Sequence, residues 1–181
     1  FHGLESTGSQ CINCHMPQTV YMQRHWRHDH GWTIPDPKLT VDFGTPNACN
    51  RCHQDQTASW ALEAVEKWYG PRMERPTRQR ATWIAQARQG NPAALPGLVQ
   101  VLRTGRIPHW RASAALLLDQ WAQEPPVKAA LLEQAGHDHP LVRNAVMRSL
   151  EPLLAGGDAD ARAALEKALL DPARSVRVGA A

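Results

Sequence analysis

No run of apolar residues approaches the eighteen or so that a membrane-crossing helix needs, so this chain holds no such span. Charge of one sign is also scarce: Lys plus Arg number 20 against 17 Asp plus Glu, a formal net charge of +3. Residues 1–70 carry 5 basic and 7 acidic side chains, and residues 71–181 carry 15 and 10. Neither half has the dense basic stripe that nucleic-acid binding calls for. The front of the chain, Phe1-His2-Gly3, has no initiator Met and no signal-peptide pattern, so the expectation is a mature piece or a fragment. What is present, 181 residues at 43% hydrophobic, supplies one ordinary core or two small ones.

Cysteine is sparse and ordered. All four residues fall into two copies of one pentapeptide, Cys11-Ile12-Asn13-Cys14-His15 and Cys49-Asn50-Arg51-Cys52-His53. Two thiols at this spacing add across the vinyl groups of one porphyrin edge, and the adjoining His reaches under the ring to bind iron: this is the c-type haem attachment pattern. A tetrahedral zinc site built from both Cys-x-x-Cys pairs is the alternative. It leaves two adjacent histidines as coincidences, on the order of one in four hundred at roughly one His in twenty. The expectation is two covalent haem c groups, with Cys11, Cys14, Cys49 and Cys52 as attachment points and His15 and His53 as proximal ligands. Haem attachment of this type takes place outside the cytosol, so the chain is expected to be periplasmic or extracellular.

Residues 1–53 hold four further histidines, His2, His25, His28 and His30. Four spare imidazoles for two irons favour bis-His ligation, the closed arrangement suited to electron transfer. His30 ranks first as a distal ligand, then His25 and His28, with His2 serving a second or neighbouring haem. The run 21–31 reads as a short helix ended by Gly31, with His25 and His28 on one face and Asp29 placed to hold a ligand imidazole. Met22 is a less favoured sixth ligand. Residues 31–46, broken by Pro35, Pro37 and Pro46, read as an extended wrapping loop. Its Trp32, Ile34, Leu39, Val41 and Phe43 pack either on a porphyrin or on the following helix. Thr45-Pro46 reads as a helix start leading into the second motif. Residues 59–69 read as a helix stopped by Gly70-Pro71, with Trp60 and Trp68 either beside a haem or, the favoured reading, as core. That stop sets the edge of a first domain, 1–70.

The remainder repeats. Trp110-Arg111-Ala112, Val142-Arg143-Asn144 and Val176-Arg177-Val178 place arginines 32 and 34 residues apart, and each follows an amphipathic stretch: 95–102, 127–135 and 161–170. Helix pairs at this period stack as an α-solenoid, since one pair alone cannot bury its apolar face. The recurring arginine is expected to brace one repeat against acidic residues of the next. His137-Asp138-His139-Pro140 belongs to an inter-helix turn rather than to a metal clip. Arg72, Arg75, Arg78 and Arg80 either pair with haem propionates or line a solvated interdomain turn. The second domain is 71–181, and the array is expected to be truncated at both chain ends.

Taken together, Cys11 to Pro17, Asp29-His30 with Pro35 and Pro37, Pro46 to Asp55, and Trp60-Ala61 resemble the multihaem c-type cytochromes that carry HEAT-like helical repeats behind the haem region. The specific likeness covers residues 1–70. It implies a mainly α protein, a loop-rich dihaem module followed by a HEAT-like solenoid. It also implies an exported electron carrier with bis-His haems and His30 as a distal ligand. The partner implied is a redox protein, such as another cytochrome, with neither nucleic acid nor a membrane span involved. The competing expectation is a reductase of small nitrogen or sulfur compounds at an open-site haem, which needs acid–base groups around a vacant iron position.

Overall fold

A computed structural model describes residues 2–73 and 75–181, and the chain divides into two compact units, Phe1–Arg78 and Gln79–Ala181. The helix stop at Gly70-Pro71 does occur, as a tight turn over Gly70–Arg72. The first unit continues past it because Arg75 donates to the Pro35 carbonyl and Arg78 forms a two-pronged pair with Asp36, Nε to Oδ2 at 2.7 Å and a second guanidinium nitrogen to Oδ1 at 2.6 Å. These arginines are therefore engaged within the protein and hold the segment after the turn to the loop at 35–36.

In the first unit, short elements alternate with turns. Helix α1 is Cys11–His15; strands β1, Gln18–Tyr21, and β2, His25–His28, pair antiparallel with Gln18 opposite His28 and Tyr21 opposite His25. Three further helices follow, α2 at Pro37–Phe43, α3 at Cys49–Cys52 and α4 at Ala58–Tyr69. The hairpin corrects the helix expected over 21–31. Met22 and Gln23 both take positive φ, +48° and +62°, and Arg24 N–H closes the turn on the Tyr21 carbonyl. His25 and His28 consequently point to opposite faces of a strand, where a helix would have set them on one.

The proline-rich stretch is likewise not extended throughout. Pro37 occupies the first turn of α2, where its missing N–H costs nothing, and Asp36 caps that helix by accepting from Lys38 N–H. Helix α2 then packs on α4. Helix α3 starts at Cys49 rather than at Thr45-Pro46, because Asn47 supplies the cap: its Oδ1 accepts from Asn50 N–H at 3.1 Å. Helix α4 begins as expected, with the Thr57 hydroxyl accepting from Trp60 N–H.

The second unit stacks helices in pairs. The division between units falls within α5, Pro76–Arg88; then come α6, Leu95–Thr104, and α7, Pro108–Leu118. Helices α8, Pro125–Gln134, and α9, Pro140–Ala155, form the next pair, and α10, Ala159–Ala168, and α11, Arg174–Ala180, the last. Proline opens α7, α8 and α9, giving each helix a defined start. Helix α9 packs on both α7 and α11, and α8 on α6, so first helices form one layer and second helices the other. Leu98, Leu118, Leu131, Val146 and Leu150 fill the space between them, each burial contributing about 1.5–3 kcal/mol.

The arginine ladder has a common geometry. Arg143 pairs with both oxygens of Asp171 at 2.7 and 2.9 Å and donates back to the His137 and Asp138 carbonyls. Arg111 donates back to the Gly105 carbonyl and forward to Gln134 Oε1 at 3.0 Å, and Arg177 donates back to the Asp171 and Pro172 carbonyls. Each arginine thus closes its own turn first. Only at Arg143 is the forward brace an acid; at Arg111 an amide does that work. His137-Asp138-His139 is an inter-helix turn: His139 N–H donates to His137 Nδ1, and Leu141 N–H donates to His139 Nδ1 at the start of α9.

Candidate functional site

Both Cys-x-x-Cys-His segments form a single helical turn, α1 and α3, which carries the paired thiols and ends at the histidine. No disulfide joins any two of the four cysteines. Burial pushes the Cys14 thiol up, with Cys52 and then Cys11 adding like-charge repulsion; burial also raises Cys49, helped by Cys14 and Cys52. Cys14 of the first motif and Cys49 and Cys52 of the second thus lie within electrostatic reach of one another. Even so, among the described residues no three His, Cys, Asp or Glu side chains gather where they would hold a metal ion. A tetrahedral zinc site needs four such donors converging.

His15 is oriented. Its Nδ1–H donates to the Thr33 carbonyl at 3.0 Å, which leaves the Nε2 lone pair available, the arrangement usual for a ligating histidine. The ring stacks on Trp32 with centres 5.4 Å apart and planes 16° apart. Trp32 adopts φ +44°, a backbone conformation that a bulky residue takes only when its surroundings enforce it.

The second motif is fixed by amides. Asn47 is buried and donates to Thr40 Oγ1 and to Asn50 Oδ1, and Asn50 donates to the His53 and Gln56 carbonyls. His53 lies beside Trp60, ring centres 4.9 Å apart. A cavity of about 280 Å³ is lined by His2, Cys14, Cys49, Cys52, His53 and Trp60, with the Ala61, Val65 and Trp68 face of α4 as a further wall. Trp60 and Trp68, expected as core, are 37% and 39% exposed and border this cavity; Ala61 and Val65 take the buried positions on α4.

The other expected ligands are dispersed. His28 donates from Nδ1 to the Met16 carbonyl at 2.6 Å and accepts at Nε2 from the Gln18 amide, so both ring nitrogens are taken up inside the hairpin. His25 opens β2, exposed, and His30 lies exposed beyond it. Asp29 accepts from Gly31 N–H, closing a local turn. Met22 is 74% exposed at the hairpin tip. Sequence reasoning overlooked Thr33, Asn47 and Asn50; the signal available for the last two was the Asn-x-x-Asn spacing, which suits a cap on a following turn.

The burial pattern of this unit bears on what it holds. Among its described residues only Pro37, Asn47, Ala61 and Val65 are buried, while Val20, Tyr21, Trp26, Trp32, Ile34 and Val41 are exposed. Two Cys-x-x-Cys-His turns, an oriented imidazole stacked on Trp32 and an apolar cavity against the second motif fit a pair of covalently attached porphyrins. Each would be held by its two thiols and its histidine.

Residues 95–181 match the family model for HEAT repeats. No curated protein and no solved structure matches the chain. Among the described residues no helix is long and apolar enough to cross a membrane. HEAT repeats commonly mediate contacts between proteins, and the stacked pairs from α6 to α11 are a HEAT-like array.

Proposed function

We propose that residues 1–78 carry two c-type haems and transfer electrons outside the cytosol, and that the HEAT-like array docks a redox partner. The observation that carries this reading is the pair of Cys-x-x-Cys-His turns, with Trp32 stacked on His15 of the first and an apolar cavity against the second, in a unit with few buried residues among those described. A porphyrin, large and flat, supplies such a unit with a core, at roughly 25 cal/mol per Å² of apolar surface covered. Bound haem supplies an iron that gains and loses one electron. The chain's part is to hold geometry fixed while charge changes. Thr33 and Trp32 fix the His15 ring; Asn47 and Asn50 fix the turn that carries His53; Trp60 and the apolar face of α4 line the cavity beside it. A fixed setting of this kind limits reorganisation on electron transfer.

The basic excess of residues 71–181 favours an acidic partner surface by long-range attraction. The test is expression in a host with c-type maturation, followed by intact mass and reduced-minus-oxidised absorption. The reading expects a gain of two haem masses and low-spin bands. A colourless protein with four unmodified thiols overturns it.

A further inference from the structure

The second motif lies close to an imidazole from far away in the sequence. The rings of His2 and His53 have centres 6.1 Å apart. Both line one cavity, together with the thiols of Cys49 and Cys52. Two imidazoles bound to opposite sides of one metal ion, with bonds of about 2.0 Å and roughly 1.1 Å more from nitrogen to ring centre, have centres about 6.2 Å apart. The observed spacing agrees with that geometry. Resting on the reading that Cys49 and Cys52 carry a haem, we propose that His2 is the sixth ligand of that haem's iron, opposite His53.

The segment that carries His2 is built for a defined position. The Ser6 hydroxyl donates to the Gly3 carbonyl at 2.7 Å, and the Ser9 hydroxyl to the Leu4 and Ser6 carbonyls, folding residues 3–9 into a compact turn. Asn13, between the two cysteines of the first motif, donates from its amide to the Thr7 carbonyl at 2.8 Å and so anchors that turn to α1. A residue inside one haem motif thereby positions the distal ligand of the other. Gly8 completes the arrangement: a Cβ there would lie 2.4 Å from His2 Cδ2, so only glycine lets the imidazole lie across the turn. His28 has both ring nitrogens engaged in the hairpin, whereas His2 faces the cavity that contains the second motif.

The test uses the matured, haem-loaded chain and reads spin state by electron paramagnetic resonance and absorption. The expected result for His2→Ala is that one of the two haems turns high-spin, while mass still shows both attached, and that added imidazole restores the low-spin spectrum. His2→Met is expected to stay low-spin with a raised reduction potential for one haem, because thioether ligation favours the ferrous state. Gly8→Val leaves the imidazole in the chain and displaces it, so it is expected to give the same half-content of high-spin haem. If His2→Ala and Gly8→Val both remain wholly low-spin with two haems attached, this ligand assignment is wrong and the two-haem reading stands. Wild-type protein without haem mass at Cys49 and Cys52 removes both.

Discussion

At the scale of single residues, the turn of the second motif is held by Asn47. Its side chain caps α3 and bonds to Thr40 and Asn50 from a buried position. Asn47→Ala removes the cap and leaves Asn50 and Thr40 short of a partner, which costs about 1–3 kcal/mol. Chemical denaturation of the matured protein is expected to show that loss, along with less complete attachment at Cys49 and Cys52 by mass. Trp32 is the counterpart for the first motif. Trp32→Ala abolishes the stacked ring on His15 and admits water to that side. The expected outcome is a shift in the potential of one haem with both haems still attached, checked by redox titration.

Titrating groups of the array set a second expectation at this scale. Burial, and then the Arg111 guanidinium, push the His137 imidazole below its ordinary value of 6.5. A hydrogen bond from Arg143 holds Asp171, and one from Lys128 holds Asp158, below the ordinary carboxylate value of 3.8. In each case the folded chain binds the proton less tightly than the unfolded chain. The His137 contribution is therefore whole above pH 6.5 and lost as pH falls from there to the lowered value. The two carboxylates contribute fully above 3.8 and lose their contribution below it. Melting temperature against pH is expected to decline in two limbs. His137→Gln flattens the upper limb and Arg143→Ala the lower; a profile unchanged by both substitutions contradicts the assignment.

At the scale of elements, the helices of the array were legible in the sequence and several elements of the first unit were not. Stretches 95–102, 127–135 and 161–170 lie almost wholly within α6, α8 and α10 because their apolar periodicity is satisfied by neighbours of the same kind. The run 21–31 misled, since its histidines and arginines suit a helix as well as a strand, and the positive φ of Met22 and Gln23 that makes the hairpin has no glycine to announce it. Pro37 was read as a breaker and acts as a starter, a distinction that depends on Asp36 standing before it. The cysteine motifs were legible because their spacing is chemical rather than conformational. Of their supports, Thr33 acts through its backbone carbonyl, which no side-chain pattern announces, whereas Asn47 and Asn50 left a signal in their Asn-x-x-Asn spacing. One close approach in the array gives a direct test. A Cβ at Gly97 on α6 would fall 2.1 Å from the Trp83 indole, so Gly97→Ala forces that ring out of its place. Overpacking of this kind costs about 1–3 kcal/mol, measurable as a lower melting temperature with helix content by circular dichroism largely kept.

At the scale of the whole molecule, two units with different sources of stability share one chain. The array has a conventional core, with Leu102, Leu118 and Leu150 fully buried, and the buried Ser149 hydroxyl joins α9 to α7 through the Ala115 carbonyl. The first unit has a scant core among its described residues and an apolar cavity lined by Cys14, Cys49 and Cys52. Replacing all four cysteines with Ala is therefore expected to leave the helical melting transition of residues 79–181 in place. The same change should make residues 1–78 protease-sensitive, as limited digestion followed by mass measurement would reveal.

The measurement that tests the central claim most directly is the intact mass of matured protein, combined with peptide mapping of the two cysteine motifs. The account expects haem joined through thioether bonds at Cys11 and Cys14 and again at Cys49 and Cys52. Finding those four sulfurs unmodified after expression with a working maturation system would contradict it.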